Sequence, residues 1–231
     1  MLTYKKLKSL RSFSITTTFR IFSFALNLLI WCWFFSDGPH SLGLDPHPES
    51  WGGRWRFLTF WGLSINLIMT GGALLSEFKL VKFPTWFCTH AVIHSTVVII
   101  LYWSLVAIDP HLVRVPGRYL PWYIEYHVHL LSGILCYFEA FKLTGCFKEL
   151  KKDLIMINVM NAAYISWIEF VIFPLSGHPC NKAKTVCGFP YPFLNEIPTS
   201  ERIGLYVFST VFVLMFYFFI RKTILHFKNT T

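Results

Sequence analysis

A polytopic bundle of about six membrane-spanning α-helices is the fold class this sequence predicts, and three observations predict it. The 231-residue chain is 54% hydrophobic and 19% aromatic but only 14% charged, too little polar side chain to coat a water-soluble fold of that length. Six mostly apolar runs approach the about 20 residues that carry a helix across ~30 Å of hydrocarbon. The joining segments are short and hold most of the Pro, Gly and charge, so residues 1–231 read as a single all-α integral-membrane domain.

The first run, 19–36, follows a basic segment and so resembles a secretory leader, but no small-residue cleavage site follows Trp31-Cys-Trp-Phe-Phe35, and it reads as an uncleaved span. The second, 57–76, is headed by WGGRWRFLTF (51–60), whose tryptophans and arginines suit a membrane interface. The third, 87–108, carries His90 and His94. The fourth, 122–141, starts behind Pro121, and the fifth and sixth are 154–175 and 203–220. All are continuously apolar, which excludes an outer-membrane barrel with its ~10-residue alternating strands.

The net charge of +9 fits topology better than nucleic-acid binding. With six spans, one side receives Lys5, Lys6, Lys8, Arg11, Arg20, Lys79, Lys82, Lys142, Lys148, Lys151, Lys152, Arg221, Lys222 and Lys228, fourteen of the 21 basic residues. The positive-inside rule then puts both termini in the cytosol, in an endomembrane or plasma membrane, with a basic face towards anionic membrane lipids. Six cysteines are scattered without a CxxC pattern. Cys180 and Cys187 share the last non-cytosolic loop and form a candidate disulfide.

Polar residues within spans are costly unless they face protein, so they are where chemistry is sought. In the second span Thr59, Asn66 and Thr70 share one helical face; in the fourth Glu125, His129, Ser132, Gly133 and Cys136 do, with His127 opposite; in the fifth Asn158, Asn161 and Glu169 do. Three such stripes predict a polar interior cavity. Thr59, His129 and Glu169 also fall at comparable depth below the non-cytosolic face, whereas His90 and His94 fall towards the cytosolic end. The plainer reading has Thr59 bonding back to the Trp55 carbonyl and His129 joining two helices. His90-x-x-x-His94 has a metal-ligand spacing, but one such pair is too little for a membrane metal enzyme, and no metal or other cofactor is expected.

Three motifs then carry a resemblance. Gly52-Gly-Arg-Trp-Arg-Phe-Leu-Thr-Phe60, Pro121-Trp-Tyr-Ile-Glu-Tyr-His-Val-His129 with Glu139 ten residues on, and Tyr191-Pro-Phe-Leu194 resemble the androgen-induced protein and androgen-dependent TFPI-regulating protein family over about residues 20–222. The resemblance implies a multi-pass membrane hydrolase that cleaves fatty acid esters of hydroxy fatty acids. Its threonine nucleophile corresponds to Thr59 and its histidine to His129. The run Tyr126-His-Val-His129 departs from the family's usual pattern, and the segment before Tyr191 is longer.

A threonine hydroxyl needs a neighbouring base, a role suited to a neutral imidazole at His129. Glu125, one turn earlier, is the candidate to orient that ring, Asn66 and Glu169 are candidate supports, and Arg56 is a candidate partner for a lipid carboxylate. The expected partners are a lipid ester and the surrounding lipids. A transporter or channel lined by the same polar stripes, or a non-catalytic scaffold, remains open at this point.

Overall fold

Apolar runs satisfy their own backbone N–H and C=O groups only by coiling, so in lipid they fold as helices. The computed structural model of the chain describes residues 14–37, 39, 51–114, 119–176 and 188–230, and these hold no strand. The helices are α1 (Ile15–Trp33), α2 (Leu58–Glu77), α3 (Thr85–Ile108), α4 (residues 122–144), α5 (Leu150–Leu175), the short α6 (Pro192–Glu196) and α7 (Thr199–Thr230). Five of them, α1, α2, α3, α5 and α7, are long and apolar enough to cross a membrane. Large side chains such as Phe208, Val211, Met215 and Phe219 of α7 remain exposed, as a lipid-facing surface requires.

The fourth expected span is helical throughout but not regular. Two π-turns, His127–Leu131 and Glu139–Thr144, divide α4, and a third, Ile168–Ile172, interrupts α5. In these turns an amide reaches five residues back, as Ser132 N–H does to the His127 carbonyl and Phe173 N–H to that of Ile168. Such turns shift the helical phase on either side and are frequent at functional sites.

Helix ends are fixed by specific partners. Ser14 caps α1 by accepting from Thr17 N–H at 3.1 Å. Ahead of α2 the chain turns at Gly52 with φ of 86°, and a Cβ there would lie 2.3 Å from Ile172 Cδ1. Only glycine permits both that dihedral and that approach to α5. Beyond the turn, the Trp55 carbonyl accepts from the indoles of Trp61 (2.8 Å) and Trp167 (2.9 Å), and Tyr164 donates to the Arg56 carbonyl at 3.0 Å. The start of α2 is thereby bolted to α5.

The interior is held by polar junctions. Asn66 on α2 donates to Ser132 at 3.2 Å, and its Oδ1 accepts from Ser95 and from the Cys136 thiol, both at 3.0 Å. His127 meets Asn27 of α1 at 3.1 Å. At the other end from the Gly52 turn, Arg20 bonds Glu139 through Nη2 at 2.7 Å and Nε at 3.1 Å and also pairs with Glu77, so α1, α2 and α4 share one ionic clamp. Helix α7 docks on α5 through Tyr217 to Asp153 (3.0 Å), Asn161 to Thr210 (2.6 Å) and Glu169, which accepts from Arg202 and Tyr206.

The expectation of three stripes lining one polar cavity is corrected. The α4 stripe packs against α2 and α3 at the Asn66 junction, and Asn158 is exposed and bonds its own helix at Leu154. Helical phase identifies a shared face but not what that face meets.

Candidate active site

The first turn of a helix leaves amides without intrahelical partners. Phe57, extended at the N-cap of α2, offers no side-chain acceptor. Tyr191 supplies one from across the bundle: its hydroxyl accepts from Leu58 N–H at 3.0 Å and lies beside Thr59. Burial pushes the Tyr191 phenol pKa up, so the group stays neutral. Thr59 is not bonded back to Trp55, whose carbonyl is taken by two indoles.

Thr59 instead lines an elongated apolar cavity of about 220 Å³ between the start of α2, α3, α5, α7 and the segment around Tyr191. The α3 side of the wall runs from His90 through His94, Leu101 and Tyr102 to Leu105, one helical face. Fifteen residues of helix span about 22 Å. The cavity is therefore long and narrow, suited to a hydrocarbon chain.

Two imidazoles approach this site in different ways. His94 donates from Nε2 to the Leu58 carbonyl at 3.2 Å, and a Cβ on Gly62 would lie 3.0 Å from its ring, so glycine leaves the room it uses. This corrects the expectation that His94 falls towards the cytosolic end: it meets the first turn of α2. His129 is not on the cavity wall. Its Nδ1 donates to the Glu125 carbonyl at 3.0 Å, leaving Nε2 as the lone-pair nitrogen, and its ring stacks on Tyr102 with centroids 3.4 Å apart. Tyr102 is the wall residue between His129 and the cavity.

The remaining candidates have other duties. The Glu125 carboxylate bonds Tyr102 and Arg114 rather than His129, so the ring is oriented by the Glu125 main chain and not by its side chain. Arg56 is buried and donates from Nη2 to the Gly188 carbonyl at 2.8 Å. Burial pushes the Arg56 pKa down to about 10, which still leaves it charged at neutral pH. Asn66 belongs to the interhelix junction and Glu169 to the α5–α7 contact. Cys180 and Cys187 lie outside the described residues. Among the described residues no three His, Cys, Asp or Glu side chains gather as a metal site.

Sequence reasoning passed over Tyr102 and treated Tyr191 as a motif residue alone. The signal for Tyr102 was present in its phase, since His94, Val98, Leu101, Tyr102 and Leu105 recur at helical spacing. Tyr191 could be found only from the fold. Its hydroxyl is expected to matter: Tyr191→Phe leaves the first amides of α2 unpaired and should lower stability by about 1–3 kcal/mol in detergent unfolding. An unchanged unfolding midpoint would remove Tyr191 from this role.

Comparison with known proteins bears on the same residues. The model of the family described as FAR-17a/AIG1-like protein matches residues 16–224, which takes in Thr59, His94, His129 and Tyr191. No curated protein and no solved structure matches the chain. A match over nearly the whole length, on an all-helical frame with several apolar spans, means that this chain belongs to the FAR-17a/AIG1-like family of membrane proteins.

Proposed function

We propose that the protein is a membrane-embedded hydrolase that cleaves the ester bond of fatty acid esters of hydroxy fatty acids, with Thr59 as nucleophile and His129 as general base. The observation that carries this reading is a threonine hydroxyl on the wall of a long apolar cavity, in the first turn of its span. The family resemblance supplies the substrate class and the histidine.

Thr59 Oγ1 attacks the ester carbonyl carbon as its proton passes to His129 Nε2. The tetrahedral intermediate collapses with cleavage of the bond to the hydroxy-acid oxygen, which takes that proton. Water, activated by the same imidazole, then hydrolyses the acyl-threonine and restores the hydroxyl. The Tyr191 hydroxyl lies beside Thr59 and suits the developing oxyanion as a donor. Contact between Thr59 and His129 requires Tyr102 to swing off the imidazole when the ester enters; catalytic contacts commonly tighten only with substrate bound.

A second reading gives the base role to His94, because its ring already bonds the residue before Thr59. The two are separated by comparing His129→Ala with His94→Ala on a branched fatty-acid ester, with triglyceride and phospholipid as controls. The expected result is a loss of roughly 10²–10⁴-fold in kcat for His129→Ala and a much smaller loss for His94→Ala. The opposite ranking transfers the role to His94, and full turnover in both variants ends the threonine–histidine mechanism. A protein that binds such esters but cleaves none would instead be a carrier or scaffold.

A further inference from the structure

His90 is 3% exposed, lines the cavity, and has no hydrogen-bond partner at either ring nitrogen. Two unpaired polar atoms in an apolar interior are costly, and native proteins keep them only where something else completes them. The nearest imidazole does not. His94 lies 5.7 Å away between ring centroids, tilted at 68°, with its Nε2 given to Leu58. The cavity wall is mostly apolar, and its polar residues Asn161, Tyr206 and Ser209 bond Thr210, Glu169 and the Tyr206 carbonyl rather than His90.

The position of His90 says what it meets. It lies one turn, about 6 Å, nearer the N-terminus of α3 than His94, on the side away from the start of α2 where Thr59 stands. A chain whose reacting group sits at Thr59 therefore passes His90 with a part well removed from that group. Neutral imidazole presents one donor and one acceptor, and a hydroxyl satisfies both at once.

We propose that His90 forms a hydrogen-bonding subsite within the apolar cavity, which selects lipid chains bearing an oxygen part-way along, a hydroxyl foremost. The subsite rests on the reading of the cavity as a lipid-chain site, and not on hydrolysis. A chain with only methylenes at that point leaves both nitrogens unpaired, so discrimination comes from the penalty on the plain chain as well as from the bond to the oxygenated one.

The test is displacement of a fluorescent fatty acid from the full chain in nanodiscs by stearate, by hydroxystearates with the hydroxyl at successive carbons, and by the matching ketostearates. One or two adjacent hydroxyl positions should displace about fivefold to tenfold more tightly than stearate. The ketones, which only accept, should gain less. His90→Leu should abolish the positional preference and keep the affinity for stearate, an effect that a packing role for His90 would not produce; His90→Gln, which keeps a donor and an acceptor, should retain part of it. A flat positional series, or a preference that survives in His90→Leu, overturns the subsite. Failure of every chain to displace the probe overturns the lipid reading of the cavity and the subsite with it.

Discussion

Thr59→Ala is expected to lower ester hydrolysis by roughly 10³-fold or more, the scale on which loss of a covalent nucleophile is usually felt. The folded protein should still accumulate, since the helix start is held by Tyr191, Tyr164 and the two indoles rather than by the threonine hydroxyl. Labelling by a hydroxyl-directed fluorophosphonate should vanish in parallel. Thr59→Ser keeps the oxygen and should keep measurable turnover. If the alanine variant hydrolyses the ester at an undiminished rate, the nucleophile lies elsewhere.

The largest effect on stability is expected at Arg20. Its guanidinium holds Glu139, whose side chain is 1% exposed, and Glu77 from the neighbouring helix. Arg20→Met leaves two carboxylates facing one another with no cation between them, and breaking a buried pair in this way costs about 3–5 kcal/mol. Adding Glu139→Gln to the same chain should return much of that loss, because the neutral amide needs no counter-charge. Unfolding of the two variants in detergent checks the pair. A single variant within about 1 kcal/mol of the parent would mean that the clamp contributes little beyond packing.

Much of the frame was legible in the sequence. Continuous apolar runs fix where helices lie, as the expected 57–76 against Leu58–Glu77 illustrates, though the last helix, Thr199–Thr230, runs ten residues past the expected 203–220. Thr59 was legible too, because a position near the start of a span follows directly from the span. The partners of the α4 residues were not. Helical phase grouped Glu125 with His129, yet the carboxylate turns to Tyr102 and Arg114 while the main chain holds the ring. The π-turn at His127–Leu131 offsets the phase that the grouping assumed. The bond from Arg56 to the Gly188 carbonyl was not legible either, because it depends on a loop approaching from over a hundred residues away. Tyr191 and His90 depend likewise on tertiary placement.

Thr59, second residue of α2, stands about 1.5 Å along the helix axis from its first residue. That distance divides the two reactants of an ester hydrolysis by phase. In the proposed hydrolysis the acyl chain would lie in the apolar cavity along α3, while water would reach Thr59 at the first turn of α2. The loop that begins with Gly52 and the hydroxyl of Tyr191 set that depth, so substitutions there should move the balance between acylation and its release by water before they disturb the fit of the chain.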